Sequence, residues 1–104
     1  MLRPLLIVVL ASLSNLSLAC DRNAAATVQD GMRDLARISE NGGVVIYDWG
    51  PYWDNQGEDR RLRLVRGAAD ADACLTGRAR EMKFYANGRL VGIASPNSGI
   101  RLIK

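Results

Sequence analysis

The sequence predicts an α+β domain in which one N-terminal amphipathic helix packs on a four- to five-stranded antiparallel meander sheet. Three observations carry this prediction. Apolar residues between Thr27 and Ser39 recur at helical spacing. From Val44 onward the apolar runs become short, β-branched and aromatic, as in strands. Asn87-Gly88 stands between two alternating apolar runs, a strong hairpin signal because a type I′ turn needs positive φ at both central residues. Short connections throughout favour neighbours in sequence as neighbours in the sheet.

Taken in order, Thr27 fits an N-cap, with Asp30 three residues on as its capping-box partner. Val28, Met32, Leu35 and Ala36 form the apolar stripe, with Ile38 at its edge; Arg33, Asp34, Arg37 and Glu40 fall off it. Asn41-Gly42-Gly43 supplies a left-handed stop. Val44–Trp49 reads as a strand, and so does Arg60–Arg66, with Leu62 and Leu64 on one face and Val65 between arginines on the other. Ala68–Leu75 reads as a short helix closed by Gly77. In the hairpin Glu81–Ser95 a two-residue loop sets the register. Ala86 then opposes Arg89, Tyr85 opposes Leu90, Phe84 opposes Val91 and Met82 opposes Ile93. Met82, Phe84, Val91 and Ile93 thereby share the core face, and Tyr85 and Leu90 pair on the other. Ile100–Ile103 is a short final strand.

The first residues divide the chain into a leader, 1–19, and a single small domain, 20–104. Arg3 precedes the apolar run Leu5–Leu10, and Ser17-x-Ala19 offers small residues where a signal peptidase cuts. The run is short of the ~20 residues that span a bilayer stably. The expected location is therefore exported: periplasmic or secreted. Leu16-Ser17-Leu18-Ala19-Cys20 also resembles the lipobox of bacterial lipoprotein precursors. That resemblance implies lipidation of Cys20 and a lipid anchor in the envelope. Cleavage after Ala19 without lipidation leaves Cys20 free to pair with Cys74, the only other cysteine, in a disulfide-permissive compartment. A third route is cleavage within Ala24–Ala26.

Composition excludes several classes. The chain of 104 residues contains no histidine. Ser-His-Asp and Cys-His catalysis, histidine metal sites and histidine pH switching are thus ruled out. The net charge of +3 is too mild to point to nucleic acid. No cofactor motif is present, and nothing marks the chain as an enzyme.

The most unusual stretch is Asp48–Asp59, which holds both tryptophans, Tyr52 and four carboxylates. Trp and Tyr bury large area at low entropic cost and anchor interfaces, or else close over a small core. Asp54, Gln56 and Glu58 alternate as oxygen donors, but the glycine at 57 and the lack of a following bidentate glutamate do not fit a calcium loop. Paired carboxylates define a glycosidase only by their separation, and a domain this small has little room for a substrate cleft. Arg60, Arg61, Arg63 and Arg66 form the densest basic run, either a solvated face or a patch for an anionic partner.

The expectation is a small cell-envelope protein that acts by binding, of inhibitor, immunity or accessory type. Its contact surface would comprise Trp49, Tyr52, Trp53, Asp54, Arg61 and Arg63. The expected partner is another envelope protein, with membrane contact only if Cys20 is lipidated. The alternatives are a glycan- or cell-wall-binding module, stacking sugars on Trp49, Tyr52 or Trp53 beside Asp54 and Asn55, and a structural lipoprotein.

Overall fold

A computed structural model describes residues 20–104, so the leader and its cleavage sites lie outside the described residues. The architecture is α+β. Helix α1 (Arg22–Leu35) leads into strands β1 (Arg37–Asn41) and β2 (Val44–Asp48). A 3₁₀ segment, Gly50–Asn55, then precedes helix α2 (Glu58–Thr76), and β3 (Met82–Ala86), β4 (Arg89–Ser95) and β5 (Gly99–Leu102) complete one sheet. Strand order is β1-β2-β3-β4-β5. All pairs are antiparallel except β2 with β3, which run parallel.

That parallel pair corrects the predicted antiparallel meander. Parallel neighbours need a crossover of a dozen or more residues, which α2 supplies. The predicted strand Arg60–Arg66 and the predicted helix Ala68–Leu75 are one helix of 19 residues. Its buried residues Leu64, Val65, Ala68, Ala71 and Asp72 follow the helical period. Glu58 and Asp59 sit in its first turn, where carboxylates complement the helix dipole, and Gly77 ends it at φ 85°. The Leu62/Leu64 alternation that imitates a strand is the start of this helical stripe.

Helix α1 begins five residues earlier than predicted. Its N-cap is Asp21, whose Oδ1 accepts from the Ala24 N–H at 3.0 Å. Thr27 instead lies inside the helix and donates to the Asn23 carbonyl. The helix ends at Leu35, and Ile38 belongs to β1. Asn41-Gly42-Gly43 is the β1–β2 turn, both glycines at positive φ, and not a helix stop. Helix α1 lies chiefly along α2, with β1 as its main neighbour in the sheet. Met32 and Ala36 of the predicted stripe are buried, whereas Val28 is 41% exposed.

The two helices are also joined covalently. Cys20 and Cys74 form a disulfide across a sequence separation of 54. On the loop-entropy account, closing a loop of that length contributes about 4 kcal/mol. Arg22 reinforces the seam by donating to the Cys74 and Leu75 carbonyls at the end of α2. A sulfur engaged in this bond is not available for a lipid thioether.

The hairpin is as predicted at its tip: Asn87 and Gly88 have φ 51° and 79°, and Tyr85 opposes Leu90. Below the tip a β-bulge shifts the register, so Phe84 opposes Gly92 and Met82 opposes Ala94. Met82, Phe84 and Val91 reach the core as predicted, but Ala94 joins them in place of Ile93. Gly92 stands beside this bulge. A Cβ there would stand 3.3 Å from Val65 Cγ2, closer than an ordinary contact, so α2 approaches the sheet where one strand has no side chain.

The core lies between α2 and one face of the sheet. Val45, Tyr47, Met82, Phe84 and Ala94 point into it, capped by Trp49 and Trp53. Asp72 is the one buried charged side chain among the described residues. Arg80 binds it through two hydrogen bonds, at 3.0 and 2.6 Å, and also reaches Glu40 at 3.4 Å. These bonds raise the Arg80 pKa further above its ordinary value and tie α2, the lead into β3, and β1 together.

Candidate binding site

Gly50 adopts φ 57°, and its N–H donates to Asp48 Oδ1 at 3.0 Å. This turns the chain out of β2 directly into the 3₁₀ segment and folds the aromatic stretch back over the sheet. Trp49 is 2% exposed and Trp53 3%, their ring centroids 6.0 Å apart in a stacked pair. Trp49 also stacks on Phe84 at 6.4 Å and meets Tyr47 at 5.5 Å. Both indoles therefore close the end of the core, and neither presents a ring face to a partner or a sugar. Tyr52 is half-buried beside Trp49.

What reaches the surface from this cluster is Arg61. Its Nε donates to the Trp53 carbonyl at 3.1 Å, and its guanidinium carbon stands 5.3 Å from the Trp53 ring centroid. Backbone bond and cation–π contact together fix the guanidinium while leaving its outer N–H groups free to donate. Among the described residues no carboxylate forms an ion pair with it. Arg61 opens on a cavity of about 320 Å³ walled by Trp53, Val91, Leu102 and Ile103, with Glu58, Arg89 and Lys104 at the rim.

The rim is internally paired. Asp54 accepts from Arg89 Nη2 at 2.8 Å and from Asn87 Nδ2 at 3.0 Å, pinning the 3₁₀ segment to the hairpin tip. Lys104 lies 3.5 Å from Glu58. Of the six predicted contact residues, the fold gathers Tyr52, Trp53, Asp54 and Arg61 around this end of the molecule. Trp49 sits behind them in the core, and Arg63, two residues along α2, faces solvent away from the cavity. Arg89, Val91 and Leu102 were not predicted as site residues. They come from strands distant in sequence, which only the bulged hairpin and the crossover bring beside α2.

Among the described residues two buried side-chain polar atoms have no hydrogen-bond partner, Tyr47 Oη and Trp49 Nε1. Burial, with Asp72 adding to it and Arg33 opposing it, pushes the Tyr47 pKa up to about 12. Among the described residues no three of His, Cys, Asp and Glu gather as a metal site, and no helix is long and apolar enough to cross a membrane. No protein-family model, curated protein or solved structure matches this chain.

Proposed function

We infer that residues 20–104 form a small exported domain of the cell envelope that acts by binding another protein, as an inhibitor, immunity or accessory protein does. The observation that supports this reading is Arg61, a guanidinium pre-positioned by Trp53 at the mouth of an apolar-walled cavity and, among the described residues, in no ion pair. Arginine held in this way is a hot-spot residue: it loses little freedom on binding, and its planar fork suits a carboxylate. The partner would place an acidic side chain on Arg61 and an apolar neighbour against Val91 and Leu102. Export is supported by the leader pattern and agrees with the disulfide, which persists in oxidising compartments. The glycan alternative loses its two largest stacking platforms to the core and retains only Tyr52.

The test is affinity capture from envelope extracts with the wild type, Arg61→Gln and Arg66→Gln, each first shown to be folded by near-UV circular dichroism. Capture of a defined partner should fall at least tenfold with Arg61→Gln and stay unchanged with Arg66→Gln. Equal capture by all three proteins would remove the cavity from the account.

A further inference from the structure

Helix α1 is held along α2 by two different means, and Gly31 stands between them. Its second half is held by apolar burial. Met32 and Ala36 belong to the core cluster, with Leu35 packed against it. Met32 Cε fits where α2 has no side chain, 3.3 Å from the place that a Cβ at Gly67 would occupy. The first half, Arg22–Asp30, supplies no member of that cluster. Only Ala25 is buried there, and Val28, its largest aliphatic side chain, is exposed. Between this half and α2 lies a hollow of about 350 Å³, walled by Val28, Gly67, Ala71 and the two cysteines.

The first half is tied down at its start. Cys20 is bonded to Cys74, and Arg22 donates to the Cys74 and Leu75 carbonyls at 3.5 and 3.2 Å. Both hydrogen bonds are exposed, where water competes for the same groups. Isolated helices shorter than about 12 residues are marginal in water, and this half has nine. Gly31 uncouples it further, since a glycine inside a helix lowers the propensity about fivefold relative to alanine. Packing does not require a glycine at this position: among the described residues a Cβ there would meet nothing within 4 Å.

We propose that the Cys20–Cys74 disulfide is a redox latch, whose reduction frees Arg22–Asp30 from α2 about a hinge at Gly31 while the rest of the domain stays folded. The reductant is a dithiol. Cys20 is exposed and Cys74 half-buried, so the incoming thiolate attacks at Cys20. A bond forms from that thiolate to Cys20 Sγ as the Cys20–Cys74 bond breaks, and the electron pair leaves on Cys74 Sγ, which takes a proton. The second thiolate of the dithiol then displaces Cys20 Sγ from the mixed disulfide, and this sulfur takes the second proton. The dithiol ends as a disulfide and both cysteines as thiols, a transfer of two electrons and two protons. Release takes the cover from Gly67 and Ala71 and turns the hollow into an open groove along α2. The core loses no member, because among the described residues none of the cluster precedes Met32. The latch does not depend on what Arg61 binds.

Amide order parameters from NMR relaxation test it, on the mature protein before and after treatment with dithiothreitol. The starting intact mass should lie two hydrogens below that of the free thiols; a mass with both thiols free would overturn the proposal at once. In the oxidised protein the amides of Asn23–Asp30 should be as rigid as those of α2, near 0.85. After reduction they should fall below about 0.6, while Met32–Leu35, α2 and the sheet keep theirs. Cys74→Ser without reductant should reproduce the reduced pattern, which assigns the effect to the bond and not to the reagent. In the reduced protein Gly31→Ala should raise the ratio of docked to released segment about fivefold, read from the Cα shifts of residues 24–26. Unchanged order after reduction would overturn the latch, and so would loss of order throughout the domain, which would make the bond a staple of the whole fold. A Gly31→Ala protein that releases the segment as readily as the wild type would overturn the hinge.

Discussion

The two faces of one sheet divide the properties of this molecule between them. On the covered face Val45, Tyr47, Met82, Phe84 and Ala94 are shut off from water by α2 and the tryptophans. On the open face their sequence neighbours Ile46, Lys83 and Ile93 remain at the surface. Alternation along each strand does this with a one-residue step, so adjacent residues serve different ends. The covered face supplies most of the apolar burial that holds a small domain together. The open face contributes little to that burial. Neighbouring positions therefore meet different surroundings: Ile93 is half-buried on the open side, whereas a Cβ at Gly92 would stand 3.3 Å from Val65 Cγ2 of α2.

The largest expected effect that sharpens this contrast is at Phe84. Its complete burial between Tyr47, Trp49 and the helix predicts that Phe84→Ala costs about 3–5 kcal/mol in urea unfolding. Next is Tyr47. A buried phenol with its pKa pushed up to about 12 stays neutral in the fold while the unfolded chain ionises near pH 10. Its contribution is complete below pH 10 and is lost as pH rises from 10 towards 12, on the order of 2 kcal/mol. Tyr47→Phe should abolish this alkaline loss without lowering stability at pH 7, because the hydroxyl has no partner to forfeit. A variant that is markedly less stable at pH 7 would show that the hydroxyl is bonded. The smallest effect belongs to the open face: Ile93→Thr should change stability by less than about 1 kcal/mol. A loss rivalling that of Phe84→Ala would mean that something covers this face and the contrast is false.

Features with local causes were legible in the sequence. The Asn87-Gly88 turn dictates its own φ angles and fixes the first pairs of the hairpin. The cysteine count pointed to the Cys20–Cys74 pair as one of three routes. Features settled by tertiary packing were not. Leu62 and Leu64 alternate as a strand would, and only the longer stripe through Ala71 and Asp72 makes α2 a helix. Reading that segment as a strand removed the crossover and with it the parallel β2–β3 pair. The bulge near Phe84 had a signal in Gly92, a glycine inside a strand pattern, but the approach of Val65 from α2 at that point had none. At the candidate site, residue types were readable and burial was not. Trp49 and Trp53 are interface residues by composition and core residues by position, and the turn at Gly50 decides between the two.

The measurement that bears most directly on the two-faced sheet is methyl NMR of the protein with a soluble paramagnetic agent that broadens solvent-facing signals. The isoleucine methyls of Ile46 and Ile93 should broaden strongly, while those of Val45, Val65 and Val91 stay sharp. If Ile46 and Ile93 are as protected as Val45, the face is covered. That result would contradict the account at its centre.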